Sequence, residues 1–308
     1  MRLTSMGVRL IRMVVWMALV SGVTLLPAAP VSAQITTNTA LPVARGVGIV
    51  RVQAKVLRSS GDHSAMNREL TVLMFPAVLV YGVTPKLAVF GVLPILHKQL
   101  EINGPTGRVE REVSGLADAR AFFRYTVYQK NDRGATFRIA PFAGVKVPTG
   151  SKNTSDENGL LPRSFQLGSG SWDPLIGAVL TRQTFSWQID VSLSYKFNGT
   201  ADRFRFGDEA RVDVASKVRI LPRLLGKGVP NYLYANLESN LIRRDRNSID
   251  GTRDIDSGGI VWYVDPGIQY ITRRVIFETA IQIPMVQELN GSALENDFVF
   301  ILSARLVF

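Results

Sequence analysis

Cations recur at alternate positions along several stretches of this chain. Such groups hold anions or pair with carboxylates. Within Ala119–Val127, Arg120 and Arg124 alternate with Ala119, Ala121, Phe123, Tyr125 and Val127. Arg138 and Lys146 stand opposite Phe137, Ile139, Val145 and Val147. Arg211, Asp213, Lys217 and Arg219 alternate with Val212, Val214, Val218 and Ile220. With Arg51, Lys55, Lys196 and Arg305, eleven bases share a polar face with six acids, Asp118, Asp190, Asp213, Glu238, Asp265 and Glu278. The candidate anion-holding set is Arg120, Arg124, Arg138, Lys146, Arg211 and Lys217, with Asp190 and Glu238 as counter-charges. A second set is apolar on both faces. Leu73, Phe75, Ala77 and Leu79 alternate with Val72, Met74, Val78 and Val80, and Phe90, Val92 and Leu96 extend the second face. Phe75 and Phe90 are the candidate pore-lining residues of this apolar set. A greasy wall beside a basic one suits phenols or aromatic acids. Two other readings fit the same residues: Arg–carboxylate pairs that fill the interior, and an inward segment or the N-terminus packed on the greasy wall.

Other chemistry is poorly provided for. The chain has no cysteine and two histidines, His63 and His97. A metal site usually needs several convergent ligands, so no metal or other cofactor is expected. A hydrolase needs a serine, a histidine and an orienting group, and no local motif marks one around His97. Asp245–Gly251 resembles a calcium loop only loosely, with its glycine one place late and no glutamate at the required spacing. The formal charge of +11 comes without a Lys/Arg stripe interleaved with aromatics, which argues against nucleic acid as a partner.

The elements that carry these residues are long alternating strands. Phe185–Phe197, FSWQIDVSLSYKF, is apolar and mostly aromatic at odd positions and polar at even ones. That period of two defines a strand with two opposite faces. A tilted strand needs about 9–11 residues to cross a bilayer, against roughly 5–6 in a soluble sheet. About twelve such segments follow Gly46, which predicts an all-β fold, an antiparallel transmembrane β-barrel over 46–308. The connections near 60, 105, 156, 203, 250 and 292 are long and polar, whereas those near 84, 132, 183, 226 and 273 are mostly short. Short periplasmic turns and long extracellular loops have this asymmetry. Leu100–Gly115 reads as a loop, Leu116–Gln129 as a single strand, and Gly168–Thr181 as the strand after the long loop that follows Thr149. Proline breaks ladder bonds, so Pro76, Pro94, Pro141, Pro174, Pro266 and Pro284 mark expected bulges or kinks.

At the N-terminus, Arg2, Arg9 and Arg12 precede the apolar run Met13–Leu26, and Val31-Ser32-Ala33 is a small-residue cleavage site. Residues 1–33 are therefore expected to be a cleavable signal peptide, and 34–45 a short periplasmic leader. Removal of 1–33 lowers the formal charge to +8. The chain ends in an alternating strand closed by Phe308. This resembles the signal read by the barrel-assembly machinery of Gram-negative outer membranes, so the expected surroundings are outer-membrane lipid.

Five segments carry a family resemblance: Tyr81–Ile95, Gly115–Tyr125, Pro141–Gly150, Phe165–Gly177 and Asp265–Met285. They resemble the outer-membrane proteins of the MetA-pathway phenol-degradation family over roughly residues 70–308. Gly168–Pro174, GSGSWDP, is the most specific piece. The resemblance implies a barrel that takes up small hydrophobic or aromatic solutes. It brings no binding-residue motif to particular positions. A filled barrel with a structural or surface-interaction role is the alternative, and an outer-membrane hydrolase the third reading.

Overall fold

The computed structural model describes residues 35–104, 107–223 and 231–308. The expected signal peptide lies outside them. Among the described residues, the main sheet has fourteen strands. They are β1 Gly48–Ser59, β2 Glu69–Gly82, β3 Leu87–Gly104, β4 Gly107–Leu116, β5 Ala119–Tyr125, β6 Tyr128–Asp132 and β7 Ala135–Val147, then β8 Asp173–Thr184, β9 Trp187–Lys196, β10 Glu209–Leu221, β11 Tyr232–Arg244, β12 Gly259–Ile271, β13 Val275–Leu289 and β14 Phe298–Val307. All pairings are antiparallel, and β14–β1 pairing together with β7–β8 pairing closes the sheet. Closure follows from the surroundings, because an open edge in lipid would cost several kcal/mol per unpaired backbone group. β4, β5 and β6 run in sequence as one interrupted stave, so the barrel has twelve staves.

The interruptions explain themselves. β4 pairs with Ile95–Gly104 of β3, and β5 with Leu87–Val92, leaving Leu93 and Pro94 opposite the break at Ala117–Asp118. β5 pairs with Phe142–Val147 of β7, and β6 with Ala135–Ile139, leaving Ala140 and Pro141 opposite the break at Thr126–Val127. Proline has no N–H to give the ladder. Each break lies against a proline, and the stave expected as one strand over Leu116–Gln129 is cut twice. A third expected irregularity is the bulge at Met285 beside Pro284, where Trp262 pairs with Val286 and Tyr263 with Pro284.

The expected loop Leu100–Gly115 is instead a hairpin that carries β3 and β4 beyond their neighbours. Arg108 reaches Glu101 at 2.9 Å and Glu69 at 2.7 Å, so its charges pair across strands rather than forcing a loop. Gly168–Trp172 belongs to the preceding loop, and that strand begins only at Asp173. The chain termini of the barrel meet at the short-turn end, where Gly48 and Phe308 exchange hydrogen bonds of 2.8 and 2.9 Å. Large apolar side chains such as Leu79, Phe123, Leu193, Leu237, Phe277 and Leu302 face outward to lipid.

The interior is not empty. Residues 35–44, most of the expected periplasmic leader over 34–45, lie inside the barrel. Ile35 and Ala40 are buried. Ile35 packs with Ala280, Val299 and Ile301, Ala40 with Ala140 and Val179, and Val43 with Ile49, Val80, Ala88 and Val307. The segment thus crosses from the β13–β14 wall to the β7–β8 wall and on to the β1–β3 wall. It carries no charge and offers threonine hydroxyls and backbone groups to a charged interior. The long-loop end is also covered. Leu161, Phe165 and Leu167 pack onto Val113, Leu70, Leu96 and Leu100.

Candidate functional site: the luminal cavity

Above the leader lies a cavity of about 330 Å³. One wall is apolar, with Val78, Val80, Phe90, Val92, Phe122 and Phe142. The opposite wall is charged, with Arg51, Lys196, Arg211 and Arg305 beside Glu209 and Asp213, and Arg120 and Arg124 lie between the two. Leader residues Thr36–Thr39, Leu41 and Val43 form part of the lining.

β5 is the element that joins the two walls. It sits between the two proline-opposed breaks, and its alternation sends Arg120, Phe122 and Arg124 inward while Phe123 and Tyr125 face out. Phe122 stacks on Phe90 with centroids 4.3 Å apart and planes 8° off parallel, and it meets Phe142 at 6.0 Å. Arg124 lies 5.0 Å over the Phe90 ring. Its guanidinium donates to Asn38 Oδ1 at 2.8 Å, to the Leu41 carbonyl at 2.6 Å and to the Thr39 carbonyl. Arg124 therefore holds the leader. Arg120 is exposed to the cavity.

The leader's other anchor is Glu238. Its carboxylate accepts from the amides of Ile35, Thr36 and Thr37 at 2.6, 2.8 and 2.9 Å, and from the Thr36 hydroxyl at 2.5 Å. Arg51 donates to the Ile35 carbonyl and pairs with Glu278 at 3.2 Å. Glu278 also takes Arg305 at 2.5 Å. Thr181 receives the Ala40 amide at 2.7 Å and donates to Asp190, which Gln188 bonds at 2.6 Å. Lys217 is buried, with its ammonium 3.4 Å from Gln269 and 5.1 Å over the Tyr234 ring. Arg211 pairs with Asp213 at 2.7 Å.

The GSGSWDP segment builds a separate charged clamp at the long-loop end. Lys146 is buried between Asp118, at 2.9 Å, and Asp173. Ser169 gives its amide and hydroxyl to Asp118 at 2.8 and 2.9 Å. Ser171 gives its hydroxyl to Asp173 at 2.7 Å. A side chain at Gly168 would strike the Gly150 carbonyl, so the close approach of the two loop ends needs glycine. This clamp seals the wall where β4 has parted from β7.

Of the candidate residues, Arg120, Arg124, Arg211 and Phe90 line the cavity. Glu238, Asp190, Lys217 and Lys146 are buried in contacts around it. Arg138 stands apart near the short-turn end, bonded to Gln129 at 2.6 Å. Phe75 is a correction. It pairs with Ile95 on the face shared with exposed Leu79, so it points to lipid. Both faces of β2 are apolar, and composition could not separate them. Phe122 and Phe142 were missed, whereas Val43 packs on Val78, Val80 and Phe90, the arrangement expected if the N-terminus covers the greasy wall. The first two occupy the same alternate positions as Arg124 and Arg138 on their own strands, so the strand period already marks them. His97 Nδ1 lies 2.6 Å from Ser114 and 3.3 Å from Glu112, on the outward face. Both partners meet the same nitrogen, whereas a serine relay uses one ring nitrogen for each.

A closed, lipid-facing barrel with a charged interior defines an outer-membrane β-barrel protein. The chain belongs to the family described as Putative MetA-pathway of phenol degradation, whose model matches residues 66–277. Among solved structures, the chain is similar to an outer-membrane channel from Pseudomonas putida F1, with 17% identity, a TM-score of 0.64, and coverage of 90% of this chain and 100% of that one. The β domain of the Bordetella autotransporter BrkA gives 11% identity and a TM-score of 0.47 over 86% of this chain and 100% of that one. No curated protein matches the chain.

Proposed function

We propose that this barrel admits small amphipathic solutes passively through its luminal cavity, with aromatic carboxylates and phenols as the solute class. The observation that carries the reading is the placement of Phe90 and Phe122 beside Arg120 and Arg124 in one cavity. A ring packs on the aromatic wall while its anionic or phenolic oxygen meets a guanidinium. No catalytic step is assigned to the protein in this reading. The leader lies across the path below the cavity, so passage requires it to shift. Family membership and the fold shared with a bacterial outer-membrane channel support this reading.

The test is single-channel conductance of refolded protein in a planar bilayer under a salt gradient, with and without benzoate. We expect anion-favouring conductance that benzoate interrupts, and Arg120→Glu should weaken both effects. A membrane that stays closed under every condition, including after release of the leader, would sink the reading. It would favour a filled barrel that works through its surface. The specific observation behind that second reading is the leader's bonding to Glu238, Arg51 and Arg124.

A further inference from the structure

The lumen has a second cavity at its short-turn end, of about 430 Å³, beyond the leader and the Lys217 layer. Its lining includes Gln183, Phe185, Arg219, Tyr232, Tyr234 and Ile271. Its charge is unbalanced. Arg219 is the sole charged residue among its described lining, and the Arg219 Nε is shielded from water without a hydrogen-bond partner among the described residues. Among the described residues, the buried carboxylates are engaged elsewhere: Asp118 and Asp173 with Lys146, Asp190 with Thr181 and Gln188, Asp213 with Arg211, Asp265 with Gln282, Glu278 with Arg51 and Arg305, and Glu238 with the leader. Arg219 is half-buried and lines the cavity, so its guanidinium can take an anion there through charge-assisted hydrogen bonds.

The remaining walls are aromatic. Tyr232 and Tyr234 have centroids 6.2 Å apart, and Arg219 stands opposite Tyr234 just before a bulge in β10. Phe185 is 68% exposed and lies over the β6–β7 turn. Gly134, at φ 78°, permits that position, since a Cβ there would approach the ring to 2.7 Å.

We propose that this vestibule is a second binding station, which takes a small aromatic carboxylate with its ring between Phe185 and the two tyrosines and its carboxylate on Arg219. The inference rests on the proposed function only for the class of solute. A solute released past the leader would pause here before it leaves.

The test uses 4-fluorobenzoate and refolded full barrel, read by fluorine NMR. Two bound resonances are expected. Arg219→Gln should abolish one or weaken it by about tenfold, the loss expected for one charged contact, and leave the other in place. Arg120→Gln should do the converse. Phe185→Ala serves as a second vestibule variant, should Arg219→Gln lose the heat-dependent gel mobility of a folded barrel. A single bound resonance that survives both vestibule substitutions overturns the proposal and leaves the luminal cavity standing. A single resonance that only the vestibule substitutions remove supports it, and instead counts against the luminal cavity.

Discussion

The amide of Ala117 donates to the carbonyl of Pro94 at 2.9 Å, and that bond marks the place where β4 gives way to β5. Pro94 has no proton to return, and the Ala117 carbonyl takes the Thr149 hydroxyl instead, at 3.0 Å. The long loop is thereby tied to the break, and β5 is freed from β4 to set Arg120 and Arg124 against Phe90. Pro94→Ala supplies the missing N–H. We expect β4 and β5 to join and Thr149 to be released. Amide exchange should then slow at Ala117 and Asp118 and quicken at Ala119, whose N–H the Thr149 oxygen accepts at 2.8 Å. Unchanged exchange at all three would show that the proline does not cause the break.

Lys146 bridges two buried carboxylates at once. Lys146→Met leaves Asp118 and Asp173 facing each other without a cation. Removal of one partner from a buried pair costs about 3–5 kcal/mol. The variant should unfold at a clearly lower temperature, read by the loss of heat-modified gel mobility. Adding Asp118→Asn should recover part of the loss, because the two sites are coupled. Equal stability of Lys146→Met and the parent would remove the clamp from the account.

The leader can be followed chemically because the chain lacks cysteine. Ala40 is fully buried. Ala40→Cys should therefore resist a bulky polar maleimide in the otherwise native protein. Glu238→Gln removes the charge that gathers three leader amides, and hydrogen bonds to a charged group are worth roughly 1.5–3 kcal/mol each. In the double variant the thiol should label several times faster. Labelling equally slow in both would mean that Glu238 does not hold the segment in place.

One acid in the long-loop region gives a pH prediction. Arg68 binds the Asp62 carboxylate through both Nε and Nη2, at 2.9 and 2.6 Å, and its backbone amide adds a third bond at 2.6 Å. These bonds, the Arg68 side chain first, hold the Asp62 carboxyl well below its ordinary value of 3.8. A lowered acid stabilises the fold in full above its ordinary value, and the contribution fades as the pH falls through the lowered one. The loop anchor should thus survive at pH 4, where an ordinary aspartate is close to half protonated. An NMR titration of the Arg68 side-chain N–H should show no release until well below that. Release near pH 4 would contradict the assignment.

Much of this fold was legible from period-two alternation, because a lipid face and a wet face demand different side chains at neighbouring positions. Thus Arg211 and Val212 declared their sides without further help. The alternation failed where both faces are greasy, and so Phe75 was assigned inward. Packing of the N-terminus on the greasy wall was among the readings the sequence offers, but the leader's route across the lumen was illegible for another reason. Ile35, Thr37 and Ala40 have no pattern of their own, and their burial depends on partners such as Glu238, some two hundred positions away in sequence. The hairpin at Glu101–Arg108 was hidden because charges that pair across strands look, along one strand, like the charges of a loop.

The seam between β14 and β1 deserves a view in time. β1 is both the strand that closes the barrel and the strand to which the leader is joined, with only Arg45 to Val47 between them. When β1 docks on β14, the leader must already lie on the inner side of the sheet. Its bonds to Glu238 on β11 and Thr181 on β8 span the barrel's width and can all form before closure. In assembly the leader would then act as a template that draws distant staves together, so weakening its anchors should slow closure as well as loosen the finished lumen.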